Sequence, residues 1–294
     1  MATPDSRPPP RRLTRAQIRW RDYEWASMGI FWAVHVGGFV GVILGAPWSV
    51  WLTCIALYWI RMFAITAGYH RYFSHRSFKT SRWFQFVLAF VAETSSQRGV
   101  LWWAAHHRAH HQYSDTEYDV HSPRQTGFFF AHCGWIYYGS EETDLARIPD
   151  FARYPELVWL NRWWVVPPVP LAAALFALQG WPGLLVGFMF STVLTWHATF
   201  TINSLTHLWG SRRYRTGDDS RNNLWLALLT MGEGWHNNHH HYMSSARQGF
   251  YWWEIDVTYY LLRFLEKVGL VRDLRAPPER VYREAQAARQ DRAA

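Results

Sequence analysis

The sequence predicts an all-α integral membrane protein in which four transmembrane helices, arranged as two hairpins, carry a helical, histidine-rich cap on the cytoplasmic side. Three observations predict it. Two long blocks of the 294-residue chain are almost free of charge, Trp and Tyr crowd the ends of those blocks, and arginine is concentrated outside them. The mean hydropathy of −0.21 resembles that of a soluble chain. It averages two phases, because residues 27–68 and 163–206 contain a single charged residue, Arg61, and all the other charges lie elsewhere. Cys54 and Cys133 are too few for a disulfide framework, a four-thiolate zinc site or an iron–sulfur cluster, so any metal must be held by nitrogen and oxygen. An aromatic content of 18% excludes a disordered or collagenous chain.

Residues 1–26 form a cytoplasmic N-terminal segment with a frayed, Pro-rich head and six arginines against three acids. It lacks the apolar core of a cleavable signal peptide. Residues 27–68 are the first hairpin, divided at Gly45-Ala46-Pro47 into two stretches of about 20 residues, each enough for one crossing. A buried helix of a soluble protein keeps a polar face, and these have none. Residues 69–162 form the first part of the cap. Residues 163–206 are the second hairpin, divided at Gln179-Gly180-Trp181-Pro182-Gly183. Trp25, Trp48, Trp51, Trp59, Tyr69, Trp163, Trp164 and Trp181 sit where interfacial belts sit, and the arginine bias places both termini and the cap in the cytoplasm. Residues 207–270 complete the cap, with Phe250 to Leu270 reading as an amphipathic helix along the membrane surface or packed on the cap. Residues 271–294 read as a charged, flexible tail.

Eleven of the 15 histidines fall in four groups, all on the cytoplasmic side. They are His70 with His75; His106, His107, His110 and His111; His207, one turn after Asn203; and His236, His239, His240 and His241. Positions i, i+3 and i+4 share a helix face, so His107, His110 and His111 can aim at one point, as can His236, His239 and His240. His106 and His241 have plausible faces of their own, and spacing does not choose among them. His70 and His75 lie about 140° apart on an α-helix, which points to two different centres or to a broken helix. Imidazole suits zinc, copper, iron or nickel. Eight or more clustered histidines exceed the four to six ligands of one ion, which implies two metals. His35, His121, His132 and His197 read as surface or hydrogen-bonded core residues.

The strings HRYFSH, HRAHH and EGWHNNHH, interleaved with two pairs of spans, resemble the three histidine boxes of membrane fatty-acyl desaturases, most closely the acyl-CoA Δ9 (stearoyl-CoA type) group and its bacterial relatives. FFFAHCGW (Phe128 to Trp135) and TINSLTHLWG (Thr201 to Gly210) support the resemblance, which runs from about residue 30 to about residue 260. It implies a di-iron centre of two Fe ions held by His70, His75, His107, His110, His111, His207, His236, His239 and His240, with Asn203 acting through water. His106 stands where eukaryotic acyl-CoA members usually have Asp, and neither His106 nor His241 is then a ligand. The resemblance further implies O₂, a fatty-acyl substrate carried by CoA or a lipid, membrane lipids around the spans, and a bacterial cytoplasmic membrane. No cytochrome b5 domain is fused, so a separate electron donor of the ferredoxin, rubredoxin or cytochrome b5 type is expected. No nucleic-acid partner is.

No side chain then acts as acid, base or nucleophile; the protein positions the chain for the metal's chemistry. Trp102 and Trp103 are candidates to line an apolar substrate tunnel, with ordinary core packing as the alternative. A hydroxylase on the same scaffold is the nearest rival. A metal transporter would need ligating side chains along the spans, which offer only His35, Arg61 and His197. A carboxylate di-iron protein would need a second Glu-x-x-His beyond Glu233-Gly-Trp-His236.

Overall fold

The computed structural model describes residues 12–138 and 142–293, so the Pro-rich head expected to be frayed lies outside the described residues. Among the described residues, three helical stretches are long and apolar enough to cross a membrane: Trp25–Leu44, Trp48–Ser74 and Pro168–His207. The first, α1, ends at Gly45, whose φ of +80° suits glycine, and Pro47 opens α2 (Trp48–Phe63). From Ala64 to Ser74 the chain continues α2 as a π-helix. The third stretch, of 40 residues, is interrupted at Gly180 (φ +63°), where Gly183 turns back against the Leu175 carbonyl.

These stretches invert the soluble pattern. Trp32, Phe39, Ile43, Leu52, Ile55, Phe176 and Leu178 are exposed, as lipid-facing residues are. Between the helices small residues permit close approach, as in membrane bundles. A Cβ at Gly38 would sit 3.1 Å from the Phe190 backbone, and one at Gly41 would sit 2.6 Å from Leu185 Cβ. The one charge of the two nearly charge-free blocks is housed internally: Arg61 is fully buried, its Nη1 donates to Ser191 Oγ (3.0 Å) and Thr192 Oγ1 (2.9 Å), and its guanidinium lies over the Phe188 ring.

The cap packs helices α3 (Arg82–Glu93) and α4 (Val100–Tyr113) on the π-helical end of α2, around Tyr69, Phe73, Leu88 and Leu101; α5 (Phe128–His132) lies against residues 191–204 instead, and α6 (Pro155–Arg162) covers α3 and α4 with Leu157 and Leu160. After the long stretch formed by α7 (Pro168–Pro182), a π-turn and α8 (Ser191–Ser204) come α9 (Leu224–Leu229) and α10 (His236–His241). The Tyr58 hydroxyl in α2 donates to the Leu229 carbonyl (2.6 Å), tying membrane stem to cap.

Two expectations change here. The amphipathic segment is helical only over α11 (Val257–Lys267), because Asp256 caps it: the Asp256 carboxylate accepts from Tyr259 N–H at 3.0 Å. The segment after residue 270, expected to be a flexible tail, is docked instead. Val271–Arg272 pairs antiparallel with Lys79–Thr80, and α12 (Glu279–Ala293) buries Val281 and Ala285 against Tyr214 and Phe250. Val281 and Ala285 lie four residues apart on one side of this helix, so a mostly polar segment still presents a small apolar strip to the cap.

Candidate metal centre

Each histidine box is set by its own local geometry. His70 and His75 come together because the segment between them is π-helical: i→i+5 bonding makes five residues roughly one turn, and His75 N–H donates to the His70 carbonyl (3.3 Å). Their rings lie 4.9 Å apart. The expectation of two different centres for this pair is therefore overturned, and the broken-helix alternative is what the chain adopts. Box two lies on α4, whose first turn is pinned where Asn161 Oδ1 accepts the Trp102 N–H (2.8 Å) and Glu93 accepts the Val100 N–H (2.9 Å). Box three is α10. Its Asn237 accepts the backbone N–H groups of Arg213 and Tyr214, and Asn238 donates to the Gln248 carbonyl (2.9 Å).

The histidines gather into two groups. In one, His70, His75, His107, His111 and His239 place ligand nitrogens within 4.8 Å of one another; in the other, His110, His207, His236 and His240 do so. The expectation that each triplet aims at one point is corrected. On both α4 and α10 the i, i+4 pair and the i+3 residue separate: His107 and His111 join the first group and His110 the second, while His236 and His240 join the second and His239 the first. At 100° per residue the i+3 side chain lies about 100° from its i+4 neighbour, so the two helices straddle both groups. Asn203 lies one turn before His207 and lines two adjoining cavities, the inner of which is walled by histidines of both groups. His106 stacks on Trp102 (3.9 Å) and donates from Nδ1 to the Trp102 carbonyl, and His241 stacks on Tyr214 and meets Glu284. Neither belongs to a group.

The donor set fits metal ions. In the five-membered group successive Nε2 atoms of His70, His239, His111, His107 and His75 are 2.9–3.0 Å apart. That is about the spacing of ligands at right angles around one ion at about 2.1 Å. In the other group His110 Nε2 and His240 Nε2 are buried with no hydrogen-bond partner, while their Nδ1 atoms are held by Asp119 (2.9 Å) and Asp218 (2.5 Å). A carboxylate accepts only, so Nδ1 carries the proton and the Nε2 lone pair points inward, as metal-ligating histidines arrange it.

The carboxylates are what sequence reasoning missed. Asp115 accepts from His207 Nδ1 (2.7 Å), and Glu233 contacts His70 Nδ1. The signal was present: Asp115 and Asp119 follow His111 at intervals of four, and Asp218 lies in the charged segment before box three. The arginine inside each of the first two boxes was also missed. Arg71 donates to the Ala246 carbonyl and pairs with Glu233 and Asp256, joining box one to box three. Arg108 donates to the Phe73 and Ser74 carbonyls, joining box two to box one. Of the histidines read as core residues, His35, His197 and His132 form a hydrogen-bonded row ending on Ser204, and His121 lies beside His110 and Asp119.

Burial, then repulsion from neighbouring imidazoles, holds His75, His107, His111, His236 and His239 well below 6.5, and burial pulls His240 down to about 4 despite Asp218. Unfolded, these groups take up protons near 6.5, so below that pH the unfolded chain binds more protons than the folded one. Asp115, Asp119 and Asp218 act in the same direction: burial raises them, but hydrogen bonds from His207 and His240 for Asp115 and Asp218, and attraction to His110 and His121 for Asp119, outweigh it and keep the carboxyls below the usual range. The metal-free protein in detergent is expected to lose thermal stability steadily from pH 6.5 to about 4. A melting temperature flat or rising over that window would contradict this.

Three adjoining cavities lead to the groups. The outer one, of about 420 Å³, is walled by Leu13, Trp102, His106, Phe130, Trp135 and Arg147 among others. It shares Trp102, His106, Trp135 and Ile136 with a small middle cavity, which shares Trp103, His107, Thr199 and Asn203 with an inner one floored by Met62, Ile65 and Ile202. Both candidate tunnel tryptophans thus face cavities, and Trp103 also stacks on His107 at 4.9 Å.

Long apolar helices and two nitrogen-rich histidine groups that could hold metal are the features of a membrane-associated protein equipped for metal chemistry. The chain belongs to the fatty acid desaturase family, whose model matches residues 46–275. It is 36% identical over 280 residues to an sn-2 palmitoyl-lipid 9-desaturase of Nostoc sp. (strain 36), covering 92% of this chain and 94% of that protein. It is 36% identical to an sn-1 stearoyl-lipid 9-desaturase of Anabaena variabilis (89% and 96% covered) and 37% identical to an acyl-CoA C20 Delta5-desaturase of Anemone leveillei (87% and 85%). The family is one of oxidoreductases that act on fatty acyl chains with oxygen.

Proposed function

We propose that this protein is an O₂-dependent desaturase that inserts a cis double bond at the 9 position of a saturated long-chain acyl group carried by CoA or a lipid. The observation that carries the reading is the sorting of nine box histidines into groups of five and four beside an apolar cavity path. His70, His75, His107, His111 and His239 would hold one iron; His110, His207, His236 and His240 the other, with Asn203 acting through water. A pair of irons there supplies the oxidising power, from O₂, two electrons and two protons, that removes two hydrogens from adjacent methylenes and yields two waters. The bend at Gly180 supports two spans within the third apolar stretch, hence four in all, with both termini and the cap cytoplasmic.

The chain's own residues do the positioning. Thr199, Asn203 and Trp103 wall the cavities where a methylene pair would lie against both groups, and apolar Met62, Ile65 and Ile202 surround the chain beyond them. Fixing the chain there turns an unselective oxidation into one at a single pair of carbons. A separate donor of the ferredoxin, rubredoxin or cytochrome b5 type, with its reductase, would supply electrons at the cap.

Expression in a host without endogenous desaturation, supplied with a competent electron donor, is expected to produce monounsaturated fatty acids in its membranes, with the bond position read by mass spectrometry. Hydroxylated products would favour the monooxygenase alternative. Unchanged lipids despite folded, iron-loaded protein would overturn the reading.

A further inference from the structure

The two histidine groups differ in what stands behind them. In the group of four, three imidazoles are each backed by an aspartate: His110 by Asp119, His207 by Asp115 and His240 by Asp218. All three carboxylates are fixed by further donors. Asp119 accepts the Asp115 and His121 N–H groups, Asp115 accepts the Ser122 hydroxyl and the Asp219 N–H, and Asp218 accepts the Ser220 hydroxyl. Among the described residues none of the three pairs with Arg or Lys. In the group of five only His70 meets a carboxylate, Glu233, whose charge is already shared with the Arg71 guanidinium and the Gln248 amide. His75, His107, His111 and His239 meet none among the described residues.

Charge behind an imidazole raises its basicity and stabilises a more positive ion on its far nitrogen. Three unneutralised carboxylates stand behind one group, and one partly neutralised carboxylate behind the other. We propose that the two metal positions are electronically unequal, and that Asp115, Asp119 and Asp218 make the ion in the four-histidine group the first to be oxidised from the ferrous to the ferric state. The inference rests on the two-iron reading above and adds an order of oxidation to it. These aspartates touch no substrate; they are positioning residues acting through the imidazoles.

The test uses the full-length protein in detergent, loaded with ⁵⁷Fe, examined by Mössbauer spectroscopy and titrated with a one-electron oxidant. Two ferrous doublets of equal area are expected, with one oxidising equivalent per chain converting a single doublet. D119N and D218N, each keeping a hydrogen-bond acceptor without the charge, should each move this first step to higher potential, lowering its equilibrium constant at least about tenfold. E233Q should leave the first step in place and move the second. D119E and D218E, which keep the charge, should hold the first step near its original potential. One doublet for both irons, a first step that follows Glu233, or Glu variants shifting as far as the Asn variants would overturn the inequality. Fewer than two irons bound per wild-type chain would instead overturn the two-iron reading itself.

Discussion

His110→Ala is expected to abolish product formation, whereas His106→Ala, four residues earlier on the same helix, is expected to weaken it by less than about tenfold. Spacing alone does not separate these two, since either fits an i, i+4 or i, i+3 pattern with its neighbours. The structure does. His110 is buried, its Nδ1 is held by Asp119 and its Nε2 faces into the four-histidine group with no other partner. His106 turns away, donates to its own helix at Trp102 and walls the outer and middle cavities. Losing a partner that merely orients a ligand costs about 10–100-fold in metal affinity or activity, so loss of a ligand should cost at least the upper end of that range. Iron content distinguishes the mechanisms: His110→Ala should lose one of two irons per chain, and His106→Ala should keep both. Equal loss of activity and iron from the two variants would show the box-two assignment to be wrong.

The parts of the fold governed by composition were legible. Charge-free blocks and terminal aromatics located the apolar helices, because a bilayer imposes length and polarity on a segment whatever it packs against. The identity of the clustered histidines was legible through their motif. Their partition was not, since helical spacing states which side chains share a face and not how many centres that face serves. His70 and His75 show this most directly. An α-helical reading separates them, and the π-helix that unites them is marked by nothing in the residue pattern itself. The carboxylates escaped for a different reason: Asp115 and Asp218 reach His207 and His240 from loops, across sequence separations of 92 and 22 residues. The docked tail escaped because a mostly polar sequence can still anchor through a few apolar contacts, Val281 and Ala285 here.

Box three depends on a glycine that spacing arguments overlook. Gly234 precedes Trp235 and His236, and the loop from Thr230 to Trp235 folds back on α9: Gly232 N–H donates to the Ala227 carbonyl, and Asn223 N–H donates to the Gly234 carbonyl (2.8 Å). A Cβ at Gly234 would meet the Ala227 nitrogen at 2.2 Å, the Asn223 carbonyl oxygen at 2.5 Å and the Ala227 Cα at 2.7 Å. All three are backbone atoms, so no rotamer change relieves the clash; either α9 or the start of α10 must move. Asn223 caps α9 by accepting the Leu226 N–H, so displacing it also uncaps that helix. Overpacking of this kind costs about 1–3 kcal/mol, and loss of a cap adds about 1 more. Gly234→Ala is therefore expected to destabilise the protein by about 3 kcal/mol and to carry His236, His239 and His240 out of register, with loss of bound iron. Gly217→Ala, where an added Cβ meets nothing within 4 Å, should stay within about 0.5 kcal/mol of the parent and retain its iron. Thermal unfolding in detergent and iron content per chain read both quantities. A Gly234→Ala protein as stable and as iron-replete as Gly217→Ala would mean that the turn into box three is not held by the backbone contacts described.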